Sequence, residues 1–189
     1  PFSVVPAAIQ PGDACTIYDH LANKKVLILA GPSTNLEDAD AILGLSNIFH
    51  APILGDPLSN MRRVYDERVI TSYDALLSQE VYRDTLRPDC MLQIGQMVVS
   101  KRVQQWVASM QHIPIISVSP TMDYTNPAGN TILFVQSTPQ GLVDALNMEI
   151  SELHVMANEV HAEVADEELN TVDNGYLATW IDADGVGRK

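Results

Sequence analysis

Lys101 and Arg102 stand side by side in SKRVQQWVASM, where Val103, Trp106, Val107 and Met110 recur at helical spacing. The pair falls at the start of the helix this spacing predicts over residues 100–110. Free backbone N–H groups give a helix start partial positive charge, so cations there cost a few tenths of a kcal/mol to about 1 kcal/mol. The chain has few cations to spare, 11 Lys plus Arg against 24 Asp plus Glu. A bound carboxylate or phosphate would make the arrangement favourable, held by the backbone N–H groups and the two side chains, with Arg able to grip a carboxylate through two parallel hydrogen bonds. The competing reading is that both side chains reach into solvent and pair with the abundant acids. Spacing alone leaves both open.

The other cations sort by their place around the predicted strands. Lys24-Lys25 enter the first strand, Arg83 and Arg87 precede the third, and Arg188-Lys189 lie in the tail. Arg62-Arg63, in GDPLSNMRR, follow the second strand as Lys101-Arg102 follow the third. Ligands of open parallel sheets bind at the carboxyl ends of strands, so two basic pairs fall on that rim. Arg62 with Ser59 is a second candidate anion or effector site, against the reading that a long loop carries solvated charge.

Other groups carry less. AGPSTN after the first strand has one glycine where a dinucleotide fingerprint needs three, and reads as an ordinary strand-to-helix turn. His154 and His161 share a helix face without further ligands at matching spacing, and His20, His50 and His112 stand alone. Cys15 and Cys90 fit no metal or redox spacing; Cys90, in an apolar run, reads as a buried packing residue. Asp19-His20 near Cys15 lacks any nucleophile elbow. The acidic run ISELHVMANEVHAEVADEE reads as a solvated helix face, and Trp106 and Trp180 as packing anchors. No catalytic residue and no metal ligand is assigned.

These groups need a scaffold. KKVLILA, stopped by Gly31-Pro32, is a buried strand, and Ser33, Thr34 or Asn35 can cap the helical pattern in LEDADAILGLSNIF. Short strands follow at Pro52–Leu54, Cys90–Ile94, Pro114–Val118 and Thr131–Val135, with a helix over SYDALLSQEVYR. Thr138-Pro139 opens a long helix. Continuous apolar strands alternating with amphipathic helices predict a three-layer α/β domain. Its sheet would be doubly wound, parallel and Rossmann-like, of five or six strands ordered 3-2-1-4-5 or a relative of that order. Residues 1–23 read as an extended, Pro-punctuated linker, 24–165 as the domain, and 166–189 as an acidic tail. That tail either packs as a last short helix around Tyr176 and Trp180 or leads into a missing domain.

The 189 residues suffice for one core, and 46% hydrophobic with 19% charged residues is ordinary for a globular chain. A net charge of −13 disfavours nucleic acid and anionic membranes as partners. No apolar run reaches bilayer length and no basic signal start is present, so the expected compartment is the cytoplasm. The chain starts mid-phrase, as a piece of something larger would.

GDPLSNMRR, YDALL, RPD and GQMVVSKRVQQW, spread over residues 26–146, resemble the middle domain of the MenD family, the 2-succinyl-5-enolpyruvyl-6-hydroxy-3-cyclohexene-1-carboxylate synthases of menaquinone biosynthesis. The resemblance implies a cytoplasmic transferase of three α/β domains that is oligomeric when full length and uses thiamine diphosphate and Mg2+. Such an enzyme decarboxylates 2-oxoglutarate and adds the succinyl unit to isochorismate. It implies that Lys101 and Arg102 contact a carboxylate of isochorismate. Arg62 matches an arginine found in part of the family, where middle-domain arginines can hold a downstream product as effector. Two departures stand out. VSPTMDYTNP has Ser119 and Asn126-Pro127 where an acidic residue and Asp-Pro are expected, and no cofactor-binding motif is present. The expectation is therefore a domain inactive alone that binds no cofactor. The rivals are an FAD- or ADP-binding module, a purely structural spacer, and a free-standing protein with an unrelated small-anion ligand.

Overall fold

The computed structural model describes residues 9–32, 38–121, 129–160 and 175–187. Six strands form one parallel sheet: β1 (Val26–Ala30), β2 (Ile53–Gly55), β3 (Val69–Ile70), β4 (Cys90–Ile94), β5 (Ile115–Ser119) and β6 (Thr131–Gln136). Their order is β3-β2-β1-β4-β5-β6. The two-residue β3, pairing with β2 on the edge, was not expected. Among the five expected strands, the third therefore neighbours the first and not the second, which corrects the 3-2-1-4-5 order. Counted with β3, the sheet has the doubly wound 3-2-1-4-5-6 arrangement.

Strands β1 to β4 are buried on both faces because both are covered, while Ile132 and Phe134 of the edge strand β6 stay exposed. Val26, Ile28 and Ala30 of β1 pack with α1 (Pro11–Leu21), α2 (Asp38–Phe49) and α6 (Pro139–Val160). Leu27 and Leu29 point the other way, into a core shared with α3 (Tyr73–Leu76), α5 (Lys101–Ala108) and α7 (Tyr176–Gly187). Cys90 is buried as expected, and burial pushes its thiol up to about 11. Trp106 and Trp180 meet edge-on at 6.2 Å, anchoring α5 against α7.

Three local expectations change. Residues 11–21 are helical, with Ala14, Ile17 and Leu21 buried, so this stretch is core and not extended linker. The helix expected over 72–83 is two, α3 and α4 (Glu80–Thr85). Between them the Ser78 hydroxyl bonds the Ala75 carbonyl and Arg83 reaches the Leu77 carbonyl, taking acceptors that a continuous helix would use. Tyr176–Gly187 packs as a helix around Trp180, one of the two outcomes foreseen for the tail. Its Tyr176 hydroxyl donates to the Leu86 carbonyl at 2.8 Å. The caps proposed before α2 and the Asn126-Pro127 pair lie outside the described residues. Thr138 does cap α6, accepting from Gly141 N–H at 3.0 Å, with Pro139 first in the helix.

Candidate functional site

Lys101 and Arg102 are the first two residues of α5 and both are exposed. Ser100 caps that helix, its oxygen accepting from Val103 N–H at 3.2 Å. No acid lies in the first turn to offset the charge. Because α5 follows β4 in a parallel sheet, its start stands at the carboxyl rim.

The pair is not locked onto acids. Lys101 makes no hydrogen bond or ion pair among the described residues, and Arg102 makes no ion pair among them. Arg102 donates instead to the Asp74 backbone carbonyl, a neutral acceptor. The Asp74 carboxylate takes the Ser100 hydroxyl at 2.6 Å. The first turn of α5 is thus moored on the first turn of α3, and neither Lys101 nor Arg102 forms an ion pair among the described residues.

Arg62 also contacts the first turn of α3, through Tyr73. Its Nε donates to the Gly55 carbonyl and one terminal nitrogen to the Tyr73 hydroxyl, both at 3.3 Å. The guanidinium lies 5.6 Å from the Tyr73 ring centre. Burial pushes the Tyr73 phenol up, with the Arg62 charge pulling against it. Both basic segments therefore converge on Tyr73-Asp74, which sequence reasoning did not single out.

Ser59 does not join them. It is 2% exposed, its hydroxyl donates to the Asp56 carbonyl at 2.7 Å, and its oxygen accepts from Met61 N–H. That closes the turn and leaves no donor for a ligand. Arg68, missing from the sorting by rim, is tied to Asp66 at 2.6 Å, and this contact holds the Asp66 carboxyl below its ordinary value.

At the switch point between β1 and β4, on the opposite face from α5, opens a cleft of about 600 Å³. Gly31, Gln96, Ser119 and Thr138 are among its lining, which contains no Lys or Arg among the described residues. A Cβ on Gly31 would lie 1.6 Å from the Gln96 carbonyl oxygen, so protein backbone fills the space a pyrophosphate would need beside that glycine. Among the described residues no group of three or more His, Cys, Asp or Glu could hold a metal ion. These residues do not fit thiamine diphosphate or its magnesium, which require cationic or metal neutralisation of the diphosphate. No described helix is long and apolar enough to cross a membrane.

A six-stranded, doubly wound parallel sheet with helices on both sides is a Rossmann-like α/β domain. Residues 10–171 match the family described as "Middle domain of thiamine pyrophosphate", and the chain belongs to that family. It is similar to the 2-succinyl-5-enolpyruvyl-6-hydroxy-3-cyclohexene-1-carboxylate synthase of Lactococcus lactis subsp. lactis (strain IL1403), 44% identical over 62% of this chain and 21% of the relative. The synthase of that name from Lactococcus lactis subsp. cremoris (strain SK11) is 35% identical over 79% of this chain and 28% of its own length. The one from Oceanobacillus iheyensis is 27% identical over 88% and 26%. The resemblance drawn from GDPLSNMRR and SKRVQQW is borne out. The chain spans about a quarter of the length of these curated relatives.

Proposed function

We propose that this chain is the middle domain of a menaquinone-pathway 2-succinyl-5-enolpyruvyl-6-hydroxy-3-cyclohexene-1-carboxylate synthase. In it, Lys101 and Arg102 bind a carboxylate of isochorismate. The complete oligomeric enzyme decarboxylates 2-oxoglutarate on thiamine diphosphate, with Mg2+, in the cytoplasm, and transfers the succinyl unit to isochorismate. The cofactor supplies the carbanion chemistry from outside this chain. The chain's own share is positioning, and alone it turns nothing over.

One observation carries this reading. Two cations share a helix start with no acid in its first turn, and Arg102 rests on a neutral carbonyl. An anion placed there gains from both side chains and from the free N–H groups. Arg62, held by Tyr73, serves the same anion or a downstream product acting as effector. The FAD or ADP alternative loses support because the switch-point cleft has no Lys or Arg among the described residues.

The spacer reading draws on the mooring of Arg102 to Asp74, which is also a structural contact. Lys101→Ala and Arg102→Ala in the complete enzyme separate the two. The anion reading expects kcat/KM for isochorismate to fall at least tenfold in each, and the spacer reading expects little change.

A further inference from the structure

Asp56 follows β2 directly and is fully buried, yet it has no ion-pair partner among the described residues. A buried carboxylate costs several kcal/mol unless donors satisfy it. Here the donors come from two loops. One carboxylate oxygen accepts from Leu58 N–H at 2.8 Å, closing its own turn. The other accepts from Val99 N–H at 2.6 Å, in the segment that leads from β4 into α5. The Asp56 N–H in turn donates to the Ala30 carbonyl at the end of β1 at 2.9 Å.

Val99 is 54% exposed, so its side chain does little to hold it in place. Its amide is held by the charge of Asp56. The next residue, Ser100, is held by Asp74. The two residues leading into α5 are therefore each held by a carboxylate, and the loop bearing Arg62 is joined to the segment that opens the helix of Lys101 and Arg102. A closed turn after β2 needs only one acceptor. The second oxygen has no purpose in that turn.

We propose that Asp56 is a positioning residue for the Lys101-Arg102 pair: its carboxylate fixes the Val99–Arg102 segment so that both cations face the anion. This rests on the ligand role given to the pair under the proposed function. Asp56→Asn keeps one acceptor oxygen but sets an amide N–H2 against the other N–H, and its volume is unchanged.

In the complete enzyme, Asp56→Asn raises KM for isochorismate about tenfold, with kcat within about twofold. The loss vanishes when Asp56→Asn is added to Lys101→Ala/Arg102→Ala, because the pair it positions is gone. Amide exchange at Val99 through Arg102 quickens in Asp56→Asn, while exchange in β1 and β4 is unchanged. Unaltered exchange at Val99 overturns the proposal, as does an equal KM penalty in the native and the Lys101/Arg102-substituted backgrounds. If the double substitution alone leaves KM unchanged, the ligand reading fails by itself. Faster exchange at Val99 then still supports the geometric role of Asp56. Should Asp56→Asn be poorly folded, Val99→Pro removes the same N–H with the carboxylate intact and is expected to give the same KM shift.

Discussion

The carboxylate of Asp184, in α7, accepts from the Ser72 N–H at 2.9 Å and from the Ser72 hydroxyl at 2.6 Å, through the same oxygen that receives Thr71 N–H at 3.2 Å. Asp184 is 3% exposed. A residue near the chain's end thus caps α3, the helix on which Arg62 and Arg102 both rest. A carboxylate at a helix start also meets the favourable end of the helix dipole.

Asp184→Ala strands two backbone donors and a hydroxyl beneath α7, so it is expected to lower unfolding stability by about 2–4 kcal/mol. Asp184→Asn retains an acceptor oxygen and is expected to cost less than half as much. Urea titration of the two variants measures the difference. Equal effects would mean that α7 is held by Trp180 packing alone.

Gly31 is expected to tolerate no side chain. A Cβ there meets the Gln96 carbonyl oxygen at 1.6 Å, a backbone atom just beyond the carboxyl end of β4 that cannot swing aside as a side chain could. Gly31→Ala should destabilise by more than about 2 kcal/mol or prevent folding. Gly12, in α1, has nothing within 4 Å of its would-be Cβ, so Gly12→Ala should be neutral or stabilise by up to about 1 kcal/mol. Paired thermal melts give the comparison, and similar melting temperatures for the two variants would contradict the backbone contact.

Alkali should weaken the fold. The Cys90 thiol stands at about 11 in the folded chain against an ordinary 9.0, and burial also raises Tyr73 and Tyr176. Where the folded thiol keeps its proton and the unfolded one loses it, the unfolded state binds fewer protons. Stability then falls as pH rises. The contribution of Cys90 is complete below pH 9 and is lost as pH climbs toward 11. Stability measured from pH 8 to 11 should decline less steeply in Cys90→Ala than in the native chain. Cys90 should also resist alkylation at pH 8 until the chain unfolds.

Much of the sheet could be read along the chain because each strand is a local event. VLILA and CMLQI are apolar runs closed by Gly31-Pro32 and by Gly95, and both are strands within a residue or two of expectation. β3 could not be read, since Val69-Ile70 is two apolar residues whose pairing with Ile53-Leu54 comes from the fold around them. The helix at Pro11–Leu21 carries a local signal of its own. Ala14, Ile17, Tyr18 and Leu21 recur at helical spacing after a proline in the first position.

In the candidate site, the basic pair was visible because it sits wrongly for a helix start. Its supports were not. The contacts of Asp74 with α5 cross 26 and 28 residues, that of Asp56 crosses 43, and those of Asp184 cross 112 and 113. Only the turn after Asp56, closed to Leu58 N–H two residues on, had a local signature. Ser59 closes its own turn, and a turn-closing hydroxyl looks like a ligand-binding one in sequence.

The central claim is that Lys101 and Arg102 meet a carboxylate. It is tested most directly by the affinity of the complete enzyme for isochorismate and its two mono-esters, each carboxylate blocked in turn, in the native protein and in Lys101→Ala/Arg102→Ala. Blocking one particular carboxylate is expected to weaken binding to the native enzyme at least tenfold, and this penalty is expected to disappear in the substituted enzyme. Penalties of the same size in both proteins, for both esters, would contradict it.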